Sequence, residues 1–231
     1  MQSPNPMQKK GRYGLQKKAV LFDFDGTLFL GTPELNAWCF EQALTEMALP
    51  PATPDMIDRT IGMTFHDIAC LMTRSRDEAL LRRFEEATFR AVPSYIRRHV
   101  REDAGVLAML DALRPHTRLA ICSNAASSYL NPMTEALNLR GRMDEIWFHH
   151  PGVTKAQAIP ILMGRLGAES AVFVGDRTED ILSAREAGIP VVGIRNRAYP
   201  WEADAADAVV TSHAEMTGAI FKLLDLPDVQ P

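Results

Sequence analysis

Asp23 and Asp25 stand two residues apart, where the apolar run of AVLFDFDGTLF (19–29) ends. On a strand, side chains two apart share a face. Two carboxylates that close repel and raise each other's pKa unless a cation lies beside them. A hard divalent ion such as Mg²⁺ takes oxygen ligands of this kind. Gly26 permits a sharp turn directly afterwards, so one aspartate can attack while the other handles a proton. Other apolar runs also close on polar groups: Ser123 and Asn124 after TRLAIC, Asp176 after AVFVG, and Asp180 one helical turn later. Lys155 stands at an expected helix start, where a cation opposes the macrodipole and so calls for an acidic partner or a bound anion. A hydroxyl with neighbouring backbone N–H groups at Ser123 and Asn124 suits a phosphoryl oxygen. An acidic metal pocket edged by a lysine and a serine is the equipment for phosphoryl transfer through an aspartyl-phosphate.

These residues need elements to aim them. The runs at 19–26, 117–124, 171–176 and 189–194 are rich in Val, Ile and Phe, as strands covered on both faces are. Helical spacing fills the intervals, at Ser127–Leu139, Lys155–Leu166 and Thr178–Ala187. Strand alternating with helix implies right-handed crossovers and an α/β, doubly wound Rossmann-like parallel sheet. Ligands then bind beyond the carboxyl ends of the strands, so the run-end residues converge. Between about Glu34 and Glu102 only amphipathic helical stretches occur, at Glu34–Ala48, His66–Met72 and Asp77–Arg98, broken by LPPATP at 49–54 and by the Gly62 region. That block reads as an inserted helical domain at 31–102, with the core at 1–30 and 103–231 and a mobile basic arm at 1–17.

Composition narrows the function further. The 231 residues carry a net charge of -4, which offers no bulk attraction to nucleic acid or to an anionic membrane. No apolar run reaches transmembrane length, and the N-terminal stretch lacks the apolar core of a secretory signal. Cys39, Cys70 and Cys122 are odd in number and widely spaced, which reads as free thiols in a reducing compartment, the cytoplasm. The cap arginines, among them Arg82, Arg83, Arg90 and Arg97, alternate with Glu78, Glu85 and Glu86 and read as a solvated helix face.

DFDGT at 23–27, Ser123, Lys155 and GDRTED at 175–180 resemble, in order, the signatures of the haloacid dehalogenase superfamily, in its phosphatase branch. The helical insertion resembles that family's cap. The resemblance implies Asp23 as nucleophile and Mg²⁺ ligand. It implies Asp25 as the acid and base, reaching the metal through its carbonyl, with Thr27 orienting it. It also implies Ser123 on the phosphoryl oxygens, Lys155 neutralising charge, Asp176 ligating the metal directly and Asp180 through water. The cap loop IGMTFHD at 61–67 resembles that of phosphoglycolate phosphatase-like members, which makes Thr64, Phe65 and His66 candidates for contact with a small phosphorylated metabolite. Asp25 argues against a dehalogenase. The absence of lysine between Gly31 and Glu102 argues against a Schiff-base phosphonatase. A β-phosphoglucomutase-like enzyme resembles the core, but Phe65 occupies the place of its cap-loop arginine. The mutase and a non-catalytic phosphate binder are the alternatives. Departures from the usual pattern are Leu30 and Gly31 at the entry to the cap, and Ala156 after Lys155.

Overall fold

Four of the expected strands lie side by side in a computed structural model of the chain, which describes residues 17–60, 63–195 and 200–227. The arm at 1–16, the Gly62 region and the start of the IGMTFHD loop lie outside the described residues. The chain runs β1 (Lys18–Phe22), then four helices, α1 (Thr32–Glu46), α2 (Pro54–Arg59), α3 (Phe65–Thr73) and α4 (Glu78–His99). It continues through α5 (Ala104–Leu113), β2 (Arg118–Cys122), α6 (Ser127–Ala136), β3 (Glu145–Trp147), α7 (Lys155–Leu166), β4 (Ser170–Gly175), α8 (Thr178–Glu186), β5 (Val191–Ile194), β6 (Ala208–Val210) and α9 (His213–Leu223).

The six strands form one sheet in the order β3-β2-β1-β4-β5-β6, and every neighbouring pair is parallel. Strand β1 is central, flanked by β2 and β4. Its side chains alternate between two cores: Val20 and Phe22 join one cluster, Ala19 and Leu21 the other. Burial on both faces explains why the run reads as continuously apolar. Strand order reverses beside β1, and there the carboxyl ends open a crevice for a ligand.

The helical block has apolar packing of its own. Phe40, Ala43 and Leu44 of α1 meet Ile57, Ile68, Met72, Leu81, Phe84 and Ala87 in a third cluster. The sheet-side ends of the same long helices, Leu35 and Cys39 in α1 and Val92 and Tyr95 in α4, belong instead to the core that covers β1. The two helices thus tie the block to the sheet, and in packing terms the border runs through them. Local signals set the helix starts. Asp77 accepts from the backbone N–H of Leu80 at 2.8 Å, Thr53 from Met56, and Thr64 from Asp67, each satisfying an orphan first-turn donor.

Candidate active site

The central strand ends one residue before the first aspartate. Asp23 prolongs the ladder through its N–H to the Val174 carbonyl at 2.8 Å. The chain then turns on Gly26, whose φ is +80° and where a Cβ would overlap the Asp176 carboxylate. Glycine alone satisfies both the left-handed angle and the close approach. Gly26 N–H bonds the Phe29 carbonyl at 2.8 Å, and buried His213 of α9 donates Nε2–H to the Thr27 carbonyl at 2.9 Å.

Asp23, Asp176 and Asp180 each offer a carboxylate oxygen within 4.8 Å of the others, and all three are buried. Lys155, the first residue of α7, reaches into the group. Its Nζ lies 3.0 Å from Asp23 Oδ1 and 2.5 Å from Asp180 Oδ1. A capping box between Thr154 and Gln157 starts that helix. The acidic partner that a lysine needs at such a position is therefore present twice. Asp180 also accepts from the backbone N–H groups of Asp176 and Arg177, at 3.2 and 3.1 Å. Both its oxygens are thereby engaged, and a Cβ at Gly175 would overlap it.

Charge is concentrated here at a cost. Burial pushes Asp23 up to about 7, against the pull of Lys155 and with the push of Asp180 and Asp25. Burial, then the charges of Asp23 and Asp180, push Asp176 up to about 8. Burial would lower Lys155, but the Asp180 and Asp23 charges hold it well above its ordinary value, so it is a permanent cation. Cys122 beneath the site is pushed up to about 12 by burial and stays a thiol.

Asp25 turns away from this group. Tyr129 Oη donates to its Oδ1 at 2.7 Å and Thr32 Oγ1 to the same oxygen at 2.9 Å. Burial raises its pKa, and the bonds from Tyr129 and Thr32 oppose the rise. Thr27, expected to orient Asp25, instead donates its hydroxyl to Asp176 at 3.3 Å, because the Gly26 turn carries it to that side. Ser123 Oγ accepts from the Ala125 N–H at 3.0 Å, which leaves its own proton for another acceptor. Asn124 gives its side-chain amide to Glu179 at 3.0 Å, bridging the loop after β2 to the first turn of α8. In the cap, Thr64 caps α3, His66 lies 3.7 Å from Cys70, and the Phe65 ring stacks on Phe89 with centroids 4.9 Å apart. The described contacts of these three lie within the cap. Arg90 pairs with Glu46 at 2.6 Å, with both side chains more than half exposed.

Sequence reasoning missed Tyr129, Thr32 and His213. Tyr129 sits 104 residues from Asp25 in chain order, and on an amphipathic helix it reads as an ordinary core aromatic. Thr32 is the first residue of α1, beside Pro33, and reads as an ordinary helix-start residue.

A parallel sheet that gathers Asp23, Asp25, Asp176, Asp180 and Lys155 beyond the carboxyl ends of its strands suits a hydrolase of phosphoryl or related groups. Comparison with known proteins sharpens this. The family model of haloacid dehalogenase-like hydrolases matches residues 20–194. A phosphoglycolate phosphatase of Rhodospirillum rubrum is 31% identical over 195 residues, 76% of this chain and 78% of that protein. A protein of Dickeya dadantii named "Probable phosphatase IndB" is 28% identical over 228 residues, 91% of this chain and 96% of its own length. The chain belongs to the haloacid dehalogenase-like hydrolases, in their phosphatase branch. The crystal structure of a predicted phosphoglycolate phosphatase from Haemophilus somnus shares the fold, with a TM-score of 0.78 at 22% identity, covering 89% of this chain and 99% of that one. Among the described residues no helix is long and apolar enough to cross a membrane.

Proposed function

We propose that this chain is a Mg²⁺-dependent cytoplasmic phosphatase that hydrolyses a small phosphomonoester through an aspartyl-phosphate on Asp23. The observation that carries the reading is the buried group of Asp23, Asp176, Asp180 and Lys155 at the end of the central strand. The donor set fits Mg²⁺. Its donors are all hard oxygens, and a dication beside Asp23 and Asp176 would offset the upward shifts that burial first, and then the neighbouring carboxylates, impose on them. Asp23, Asp176 and the Asp25 carbonyl would hold it, with Asp180, already engaged by Lys155 and two N–H groups, acting through water. When bound, the ion would withdraw charge from the phosphoryl oxygens.

The chain's own residues then divide the work. Asp23 attacks phosphorus, and the ester oxygen leaves with the proton of Asp25. A water next attacks the aspartyl-phosphate, giving its proton back to Asp25 and freeing phosphate and Asp23. Lys155, fixed by Asp180, keeps a positive charge beside the nucleophile, and Ser123 donates to a phosphoryl oxygen. The block at 31–102 acts as the cap, excluding water and choosing the substrate. Phosphoglycolate, named for the Rhodospirillum relative, is one candidate among small phosphorylated metabolites. Phe65 in the cap's aromatic packing supplies no cation, which favours the phosphatase over a mutase.

Phosphate release from a panel of small phosphomonoesters, with Mg²⁺ or with EDTA, tests the reading. Wild type should release phosphate only with the metal, and Asp23→Asn should release none while keeping its circular dichroism. Turnover in EDTA, or by folded Asp23→Asn, would overturn it.

A further inference from the structure

The hydroxyls that meet Asp25 come from outside the motif series. Tyr129, the third residue of α6, and Thr32, the first of α1, both donate to Oδ1. Among the described residues no donor is assigned to Oδ2. A carboxyl group that gives a proton to a leaving group and then takes one from water needs one oxygen held at a fixed angle and the other left to exchange. Asp25 shows that asymmetry.

We infer that Tyr129, seconded by Thr32, is the positioning residue of the acid–base step: it anchors Asp25 through Oδ1 so that Oδ2 carries the proton. The inference rests on the proposed role of Asp25. It assigns to Tyr129 and Thr32 the orienting part that Thr27, committed to Asp176, does not play. Tyr129 is well placed for it. Its ring is buried and meets Phe24 edge-on, with centroids 6.1 Å apart and planes at 81°, so the hydroxyl has a rigid mount. Burial, and then the Asp25 charge, hold the phenol well above its usual pKa, which keeps it a donor. The single proton of Thr32 also has the Phe29 carbonyl within reach at 3.3 Å, so Thr32 contributes the smaller part.

The test uses two classes of ester. An alkyl phosphate needs its leaving oxygen protonated, whereas p-nitrophenyl phosphate expels a stable phenolate that needs little help. The quantity to read is kcat/KM, which reports the steps through loss of the leaving group. Tyr129→Phe retains the ring and its packing. It should lower kcat/KM for the alkyl ester by about ten- to a hundredfold, and at least tenfold more than for the aryl ester. Thr32→Val should shift the same ratio less, and Thr32→Ser should restore it. An equal fall for both esters would mark Tyr129 as structural and overturn the inference, as would no fall for either. Asp25→Asn in the same assay separates this from the functional reading. If Asp25→Asn discriminates between the esters and Tyr129→Phe does not, the positioning role alone is lost. If wild type cleaves neither ester, or Asp25→Asn treats them alike, both fall.

Discussion

Lys155 holds a full charge with only 5% of its side chain exposed, at the first position of a helix, where the macrodipole disfavours a cation. The carboxylates of Asp23 and Asp180, 3.0 and 2.5 Å from its Nζ, keep it there. Removing one partner of a buried ion pair leaves an uncompensated charge, worth about 3–5 kcal/mol. Lys155→Met is therefore expected to lower the unfolding free energy by about 3 kcal/mol in urea titrations at pH 8, and to abolish turnover. The loss should shrink at pH 5, where Asp23, raised to about 7, can take up a proton. Asp23, together with Asp176, also makes the metal-free protein sensitive to pH. In the unfolded chain Asp23 and Asp176 titrate near 3.8, while in the folded chain they titrate at about 7 and about 8. Between those limits the native state binds more protons than the unfolded state, so this contribution to stability falls as pH rises. In EDTA their contribution should lower the Tm at pH 8 relative to pH 5.5. Mg²⁺ should raise the Tm more at pH 8, because it must displace protons at the lower pH. Differential scanning fluorimetry reads both, and a Tm gain from Mg²⁺ that is larger at pH 5.5 would contradict this charge balance.

The helix that bears Lys155 is itself held by a reciprocal cap. Thr154 accepts from Gln157 N–H at 3.3 Å, and Gln157 Oε1 accepts from Thr154 N–H at 3.0 Å. Losing such a cap costs about 1 kcal/mol. Thr154→Ala should lower the Tm by about 2–4 °C and leave measurable turnover, because Asp23 and Asp180 still grip the lysine. A collapse of activity equal to that of Lys155→Met would show that the cap, and not the ion pairs, positions Nζ. At this scale the sequence was most readable where elements are long and buried. The runs ending at Asp23, Ser123 and Asp176 correspond to β1, β2 and β4, and the expected helix Lys155–Leu166 has the observed bounds. Strands β3 and β6 escaped notice because each has three residues and at most one fully buried side chain. Helix α2 has six residues, too few for a periodic pattern. Asp23, Ser123 and Asp176 were legible because each follows a strand of one sheet, and Lys155 and Asp180 because each stands in the first turn of a helix at that same end. Tyr129 was not, since its bond to Asp25 depends on how α6 lies against the Gly26 turn.

At the scale of the whole molecule, Asp23, the proposed nucleophile, is buried at the carboxyl end of the central strand. Asp23 is 7% exposed, Ser123 4% and Lys155 6%, so a phosphoryl group must descend to reach them. Above the sheet, the helical block has a cluster of its own and is tied to the core by Leu35, Cys39, Val92 and Tyr95. If the block acts as the proposed cap, a ligand would fit beneath it, and closing over the ligand would exclude water and strengthen every charge interaction in the site. A phosphoserine on a folded protein carries bulk that cannot follow its phosphate downward. The expected outcome is a kcat/KM for a folded phosphoprotein at least a hundredfold below that for the best small phosphomonoester, the scale of loss that misplacing a reacting group produces. Unfolding the phosphoprotein, or cutting it to a short phosphopeptide, should recover only part of the difference, because a peptide still has to thread beneath the helices. Equal turnover of the folded phosphoprotein and the small ester would mean that the block does not cover the site during catalysis, and selection would then rest with the loops around Asp25, Ser123 and Asp176 alone.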